Sequence, residues 1–301
     1  MSKMQYAPII IFAFNRLESL KNTICSLLEN KESEASDLFI FVDGARSDRI
    51  GEVEIVNQVQ NYIKSILGFK SIHYEFAKQN KGLGPSIIYG VTNVINQYGK
   101  AIVLEDDLIL SNNFLAFLND GLNRFESNEK VFSICGYSNQ VKKPSDYNAD
   151  SYFCTRSSSW GWGTWANRWN SVDWELKDWE KIEKLKKDFN RWGGSDCFKM
   201  LNDWHLGKNK SWAIRFSFAQ FIQNKLSLFP IISKVSNNGF DGTGTNCKKY
   251  SRFKFDFDES NSKTFTYPQE ISINRALYKS AMFYNSIIIR IWSKLMYILK
   301  R

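Results

Sequence analysis

Three consecutive carboxylates, Glu105, Asp106 and Asp107, interrupt an apolar run from Ala101 to Leu110. Acids placed side by side at the end of a buried strand repel one another and are costly to take out of water. Some positive charge has to answer them. A divalent cation with oxygen ligands, bridging to a phosphate, is one solution. The other is a solvated loop in which one acid caps the helix expected near Asn112 to Asn119.

The rest of the chain limits the choice of metal. His73 and His205 are the only histidines, and the five cysteines are widely spaced with no Cys-x-x-Cys pair. A zinc site or a disulfide framework is disfavoured, and a reducing cytosol is the natural compartment. A metal held here would be bound by carboxylates and phosphates, which points to Mn²⁺ or Mg²⁺.

The acids need a scaffold. Apolar runs Pro8 to Phe14, Leu38 to Val42 and Ser71 to Phe76 read as strands, and the acidic run reads as a further buried strand. Between them, Leu17 to Leu28, Val53 to Leu67 and the segment from Pro85 to Tyr98 carry helical periodicity. This alternation predicts a parallel sheet with helices on both faces, whose ligands gather at the carboxyl ends of the strands. Asn15 and Arg16, Asp43 and Gly44, and the loop Gln79-Asn-Lys-Gly-Leu-Gly84 all fall at such ends, beside the acids.

Farther along, a helix is expected over Asn113 to Phe125 and a strand over Val131 to Gly136. Ser157 to Trp165 reads as a Gly/Ser-rich loop carrying Trp160, Trp162 and Trp165. Sugars stack on aromatic rings, so Trp160 and Trp162, lying beside glycines, are candidate sugar contacts. Packing residues would look the same. Lys177 to Phe189, Asp196 to Leu206 and Ser211 to Asn224 read as helices, and Leu226 to Val235 as a strand. Asn237 to Thr245 is a glycine-bearing loop. The final stretch, Ala281 to Arg301, is apolar on one helical face and basic on the other. That suits an anionic membrane surface, or packing on another protein surface.

At 301 residues, 43% hydrophobic and 15% aromatic, the chain has ample material for a core. The net charge of +9 suits an anionic partner. No arginine-rich helix, zinc-finger spacing or RNA-binding signature is present, which disfavours nucleic acid. No run approaches the roughly 20 apolar residues of a spanning helix, and the N-terminal run is too short for a signal peptide.

Taken in order, Ile9 to Asn15, Val42-Asp-Gly44, Asn80-Lys-Gly-Leu-Gly84 and Leu104-Glu-Asp-Asp-Leu108 have the sequence and spacing seen in GT-A glycosyltransferases. The chain resembles, more narrowly, the N-acetylglucosaminyltransferase I type and the bacterial family 2-like enzymes, over roughly residues 7–245. The resemblance implies a GT-A, Rossmann-like α/β fold with a mixed, mostly parallel sheet. It implies a glycosyltransferase domain over 1–250, split near 125 into donor and acceptor halves, followed by an extension over 251–301 with an amphipathic helix. It assigns Asp107 to the metal and Glu105 and Asp106 to the donor's ribose and sugar. Asp43 would meet the base, and Asn15, Arg16, Lys81, Gly82 and Gly84 would border base and diphosphate. The implied reaction is metal-dependent, inverting transfer from a nucleotide-diphosphate sugar, expected to be a UDP-sugar, to a glycan or lipid-linked acceptor. The implied setting is bacterial cell-surface polysaccharide synthesis, on the cytoplasmic side of the membrane.

Inversion needs a general base for the acceptor hydroxyl. Asp203, just before Trp204, is the first candidate, with Asp196 second and Asp241 third. Trp212 is followed by Ala213, where related sequences carry an acid, so the pattern departs from the family at this point. Two other readings compete: a sugar nucleotidyltransferase on a related sheet, and a non-catalytic carbohydrate-binding protein on the same fold.

Overall fold

The computed structural model describes residues 6–237 and 255–299. Its first half alternates as expected: β1 (Ile9–Ala13), α1 (Leu17–Leu28), β2 (Asp37–Val42), α2 (Glu52–Lys64), β3 (Ser71–Phe76), α3 (Leu83–Tyr98) and β4 (Lys100–Glu105). β1 lies between β2 and β4, and all three are parallel, with β3 parallel at the edge. The period-2 alternation of a strand divides β1 between two cores. Ile9, Ile11 and Ala13 face α1 and α2, packing with Leu20, Ile24, Val56 and Val59. Ile10 and Phe12 face α3, packing with Ile87, Val91 and Val94. Each of these side chains other than Ala13 contributes roughly 1.5–3 kcal/mol on burial. Both faces being covered explains why β1 reads as a continuous apolar run.

The acidic segment is not one strand. β4 ends at Glu105, Asp106 and Asp107 form a turn, and β5 (Leu108–Leu110) leaves the main sheet to pair antiparallel with β10 (Val235–Asn237). The two aspartates thus sit where the chain switches sheets, at the carboxyl edge of β4.

After α4 (Phe114–Arg124) come β6 (Val131–Cys135), β7 (Ser151–Cys154), β8 (Trp162–Trp165), a short α5 (Ala166–Trp169) and β9 (Leu226–Pro230). They extend the same sheet to eight strands in the order β3-β2-β1-β4-β8-β6-β9-β7. β8 runs antiparallel to both β4 and β6, which makes the sheet mixed. The segment expected as one helix over Lys177 to Phe189 is two, α6 (Trp179–Lys184) and α7 (Lys186–Gly193). These pack with α8 (Cys197–His205) and α9 (Trp212–Ile222) around Phe189, Leu201 and Phe218. The C-terminal stretch is also two helices. α10 (Arg275–Phe283) docks on the far sheet edge through Leu277 and Ala281, against Tyr152 and Phe229. α11 (Ile287–Leu299) follows a break at residues 284–286. No helix among the described residues is long and apolar enough to cross a membrane. The expected loop at 237–245, with Asp241, lies outside the described residues apart from Asn237.

Candidate active site

Asp106 and Asp107 are both buried, and both turn toward one guanidinium. Arg16, the residue before α1, donates to Asp107 Oδ2 at 2.9 Å and also pairs with Asp106. The Phe14 N–H donates to the other Asp106 oxygen at 3.3 Å. The sequence reading assigned Arg16 to the donor; its ion pairs with both acids, from 90 residues away, were not foreseen. Burial pushes Asp106 up to about 6 against the pull of Arg16. Glu105, partly buried, is pushed up to about 8 by burial and by its two acidic neighbours. Arg16 is raised: burial works against its charge, and the two aspartates outweigh it.

The neighbouring loop is held by Asp43, at the end of β2. Its Oδ1 accepts from the N–H groups of Gly44 at 2.9 Å and Lys81 at 2.8 Å, and its Oδ2 from Gly82 at 2.8 Å. The Asn80 amide donates to the Gly44 carbonyl at 2.9 Å. Asp43 therefore ties the loop of residues 80–84 to the sheet edge, with three of its roughly four acceptor positions taken by backbone N–H groups. The glycines there answer definite needs. Gly82 has φ +80°, and a Cβ at Gly84 would lie 2.2 Å from the Lys210 carbonyl oxygen.

Asn15 and Arg46 share a second anchor. Glu52, in the first turn of α2, accepts from the Asn15 amide at 3.0 Å and from the Arg46 N–H at 2.8 Å, and pairs with the Arg46 guanidinium. That guanidinium lies 5.4 Å from the centre of the Phe14 ring. Glu52 and Arg46 were not singled out from the sequence.

The tryptophans separate. Trp162 is the first residue of β8, only 1% exposed, and stacks with Trp212 and Trp169 at 5.0 and 5.8 Å. It packs the core and does not line a binding loop, because residues 162–165 are a central strand. Its indole N–H is the one buried side-chain polar atom without a partner among the described residues. Trp160 is half-buried, 4.5 Å from Tyr137 edge to face, and lines a cavity of about 220 Å³. Arg156, Tyr137 and Ser157 from the sheet side also line it, as do Ala281 and Asn285 at the end of α10.

The two candidate bases differ in environment. Asp196 is buried and bound to Arg156 at 2.9 Å. Burial pushes its carboxyl up, but Arg156 prevails and holds it below the usual range. Asp203, on α8, is partly exposed and pairs with Lys199 one turn away.

Whether the acids suit a metal can be judged from the guanidinium they share. Two carboxylates already converge on one cation, so their oxygens are arranged for positive charge. Among the described residues no group of three metal-ligating side chains occurs. A hard divalent ion here would take one or two carboxylates and complete its shell with diphosphate oxygens and water, as such ions do at phosphate substrates. The donor set fits on that condition, and Arg16 would have to release Asp107.

Among solved structures, the chain is similar to a mannosyltransferase from Pyrobaculum calidifontis in complex with GDP-Man and Mn²⁺, at 9% identity and a TM-score of 0.34, covering 53% of this chain and 45% of that one. It is also similar to a UDP-glucose pyrophosphorylase complexed with UDP-glucose, at 13% identity and a TM-score of 0.35, covering 74% and 90%. Likeness at this level carries no weight for function. No curated protein matches the sequence. A family model, glycosyl transferase family 2, matches residues 9–206, from β1 through the end of α8. This span takes in the parallel strands, the acidic turn and the Asp43 loop, and the chain belongs to glycosyl transferase family 2, a nucleotide-sugar transferase on the GT-A fold.

Proposed function

We propose that this glycosyltransferase is metal-dependent and inverting, and that its donor is a nucleotide-diphosphate sugar, with UDP-sugars the first to test. The observation that carries the reading is the convergence of Asp106 and Asp107 on a single cation at the end of β4. Asp107 would hold Mn²⁺ or Mg²⁺. When bound, such an ion supplies charge neutralisation of the leaving diphosphate. Asp106 and Glu105 border the donor's sugar and ribose. The backbone of residues 81–84, pinned by Asp43, faces the diphosphate, and Asn15 and Arg46, steadied by Glu52, border the nucleoside.

In the transfer, an acceptor hydroxyl oxygen forms a bond to the anomeric carbon as the bond to the diphosphate oxygen breaks. The diphosphate leaves with the electron pair, and the hydroxyl proton goes to a base. Asp203 is the proposed base. It is partly exposed, and the adjacent Trp204 lines a cleft shared with Pro85 in the first turn of α3, next to the glycine loop. Asp196, already bound to Arg156, is proposed to hold that arginine at the Trp160 cavity rather than to take the proton. That cavity is the proposed acceptor pocket, for a glycan or a lipid-linked saccharide.

The exposed apolar residues of α11, with Ile288 77% exposed, favour peripheral contact with an anionic membrane, given the chain's net positive charge. The acceptor would then be one built at a cytoplasmic membrane face. The deciding experiment is a panel of nucleotide sugars with Mn²⁺, read as released nucleotide. Metal-dependent release from at least one donor supports the reading, and no release from any donor counts against it.

A further inference from the structure

Arg215, on α9, is a buried cation that the proposed chemistry does not use. It is 7% exposed, and no carboxylate pairs with it among the described residues. Its Nε donates to the Ser211 carbonyl at 3.2 Å and one terminal nitrogen to the Trp174 carbonyl at 2.6 Å. The guanidinium lies 4.6 Å from the Trp204 ring and 5.5 Å from the Trp174 ring. A guanidinium has five N–H donors, so these two bonds leave three unassigned. Aromatic faces recover part of the cost of burying the charge. They supply no acceptor, and the unbonded terminal nitrogen is not closed off, since the one buried side-chain polar atom without a partner among the described residues lies at Trp162. Burial alone lowers the group to about 10.

Arg215 reaches the wall of a cleft between α3 and the α8–α9 corner, lined also by Pro85, Ile88, Tyr89, Trp204 and Lys210. Lys210 is a second cation on this cleft, and its side chain passes 3.9 Å from where a Cβ on Gly82 would lie. Lys81 stands over the Tyr89 ring at 4.7 Å, so a third cation borders the rim. The cleft thus combines ring faces with positive charge, beside the loop that faces the donor diphosphate.

We propose that this cleft is a binding subsite for an acidic sugar, one bearing a carboxylate or a phosphate. The sugar ring would lie on Trp204 and Tyr89, and its anion would take the spare Arg215 donors and Lys210. A planar guanidinium fork matches either anion in two-point contact, and aromatic rings take the apolar face of a pyranose. The inference rests on the glycosyltransferase reading, which it narrows to an enzyme that handles an anionic saccharide as donor sugar or acceptor unit.

The test uses the full chain without nucleotide or metal, so its failure leaves the donor-site reading standing, and failure of that reading leaves this one open to the same measurement. Ligand-observed NMR titrations would compare glucuronate, glucose 1-phosphate, glucose and inorganic phosphate. Expected is binding of glucuronate or glucose 1-phosphate about tenfold tighter than glucose or inorganic phosphate, a difference near 1.4 kcal/mol. Lys210→Gln, on an exposed side chain, should weaken it several-fold, and Arg215→Lys should weaken it further, since lysine keeps the charge but loses the fork. Should Arg215→Lys fail to fold, Lys210→Gln alone carries the test. Equal binding of glucose and the acidic sugars, inorganic phosphate binding as tightly as the tighter of the two acidic sugars, or unchanged binding in Lys210→Gln would each overturn the proposal.

Discussion

Arg16 donates to Asp107 at 2.9 Å and pairs at the same time with Asp106, so the chain supplies its own counter-ion to the acidic turn. A metal at Asp107 has to compete with it. Replacing Arg16 with methionine should therefore tighten Mn²⁺ binding in the absence of nucleotide by several-fold, read by electron paramagnetic resonance. The same change leaves two buried carboxylates without their partner and should cost about 3 kcal/mol of stability. Weaker Mn²⁺ binding in the variant would show that Arg16 supports the metal instead of opposing it.

Asp43 accepts three backbone N–H groups from the glycine loop and the residue after itself. Asparagine offers one oxygen and turns an N–H₂ group toward donors. Asp43→Asn should lose about 1–3 kcal/mol of stability and raise the donor KM more than it lowers kcat. Thermal unfolding together with steady-state kinetics would check both. An unchanged melting temperature would remove the anchoring role.

At Gly84 the constraint is packing. Its missing Cβ would meet the Lys210 carbonyl at 2.2 Å, and backbone cannot swing aside as a flexible side chain can. Gly84→Ala should destabilise by roughly 1–3 kcal/mol, as overpacking does. Chemical denaturation would measure it. A neutral result would mean that the α8–α9 connection slides freely against α3.

The Asp196–Arg156 pair carries a pH signature. The Asp196 carboxyl is pushed up by burial, yet Arg156 holds it below its ordinary value of 3.8. A carboxyl lowered by folding contributes stability that is complete above the unfolded value and is lost as pH falls through the folded one. The loss therefore begins near pH 3.8 and continues below it. Asp196→Asn should be less stable than wild type at pH 7, and the gap should close in acid. Parallel unfolding curves between pH 7 and pH 3 would contradict the pairing.

For α11 the expectation concerns membranes. A truncation after Ser286 keeps α10 and its buried Leu277 and Ala281. The full chain should float with anionic vesicles and the truncated chain should not. Equal flotation of both would remove the membrane role.

Much of the first half of the chain was legible because its signals are local. β1 and β4 are buried on both faces and β2 is buried on one and half-buried on the other, so each shows as an apolar run, and their ends mark Arg16, Asp43 and the acids. Local signals fail where partners are distant. The acidic run looked like one strand, since apolar continuity from Leu104 to Leu108 cannot show that β5 has changed sheets to meet β10. Residues 162–165 looked like a loop, since Trp-Gly-Thr-Trp becomes a strand only between β4 and β6. The final amphipathic stretch keeps its period across the break at 284–286, so two helices read as one. Arg156 and Asp196 are 40 residues apart, and no local pattern joins them. Arg215 hid in an apolar helix whose charge the sequence could not place.

Asp107 is where the proposed metal, donor and chemistry would meet. The measurement that bears on it most directly is nucleotide release from a donor panel with Mn²⁺, for wild type and Asp107→Asn, with circular dichroism confirming the fold of the variant. Wild type should release nucleotide from at least one donor and stop when EDTA is added, and the variant should be slower by roughly 10²–10³-fold, the scale on which losing a charge-stabilising group acts. Release that persists in EDTA, or a folded Asp107→Asn with wild-type rates, would contradict a metal site at Asp107.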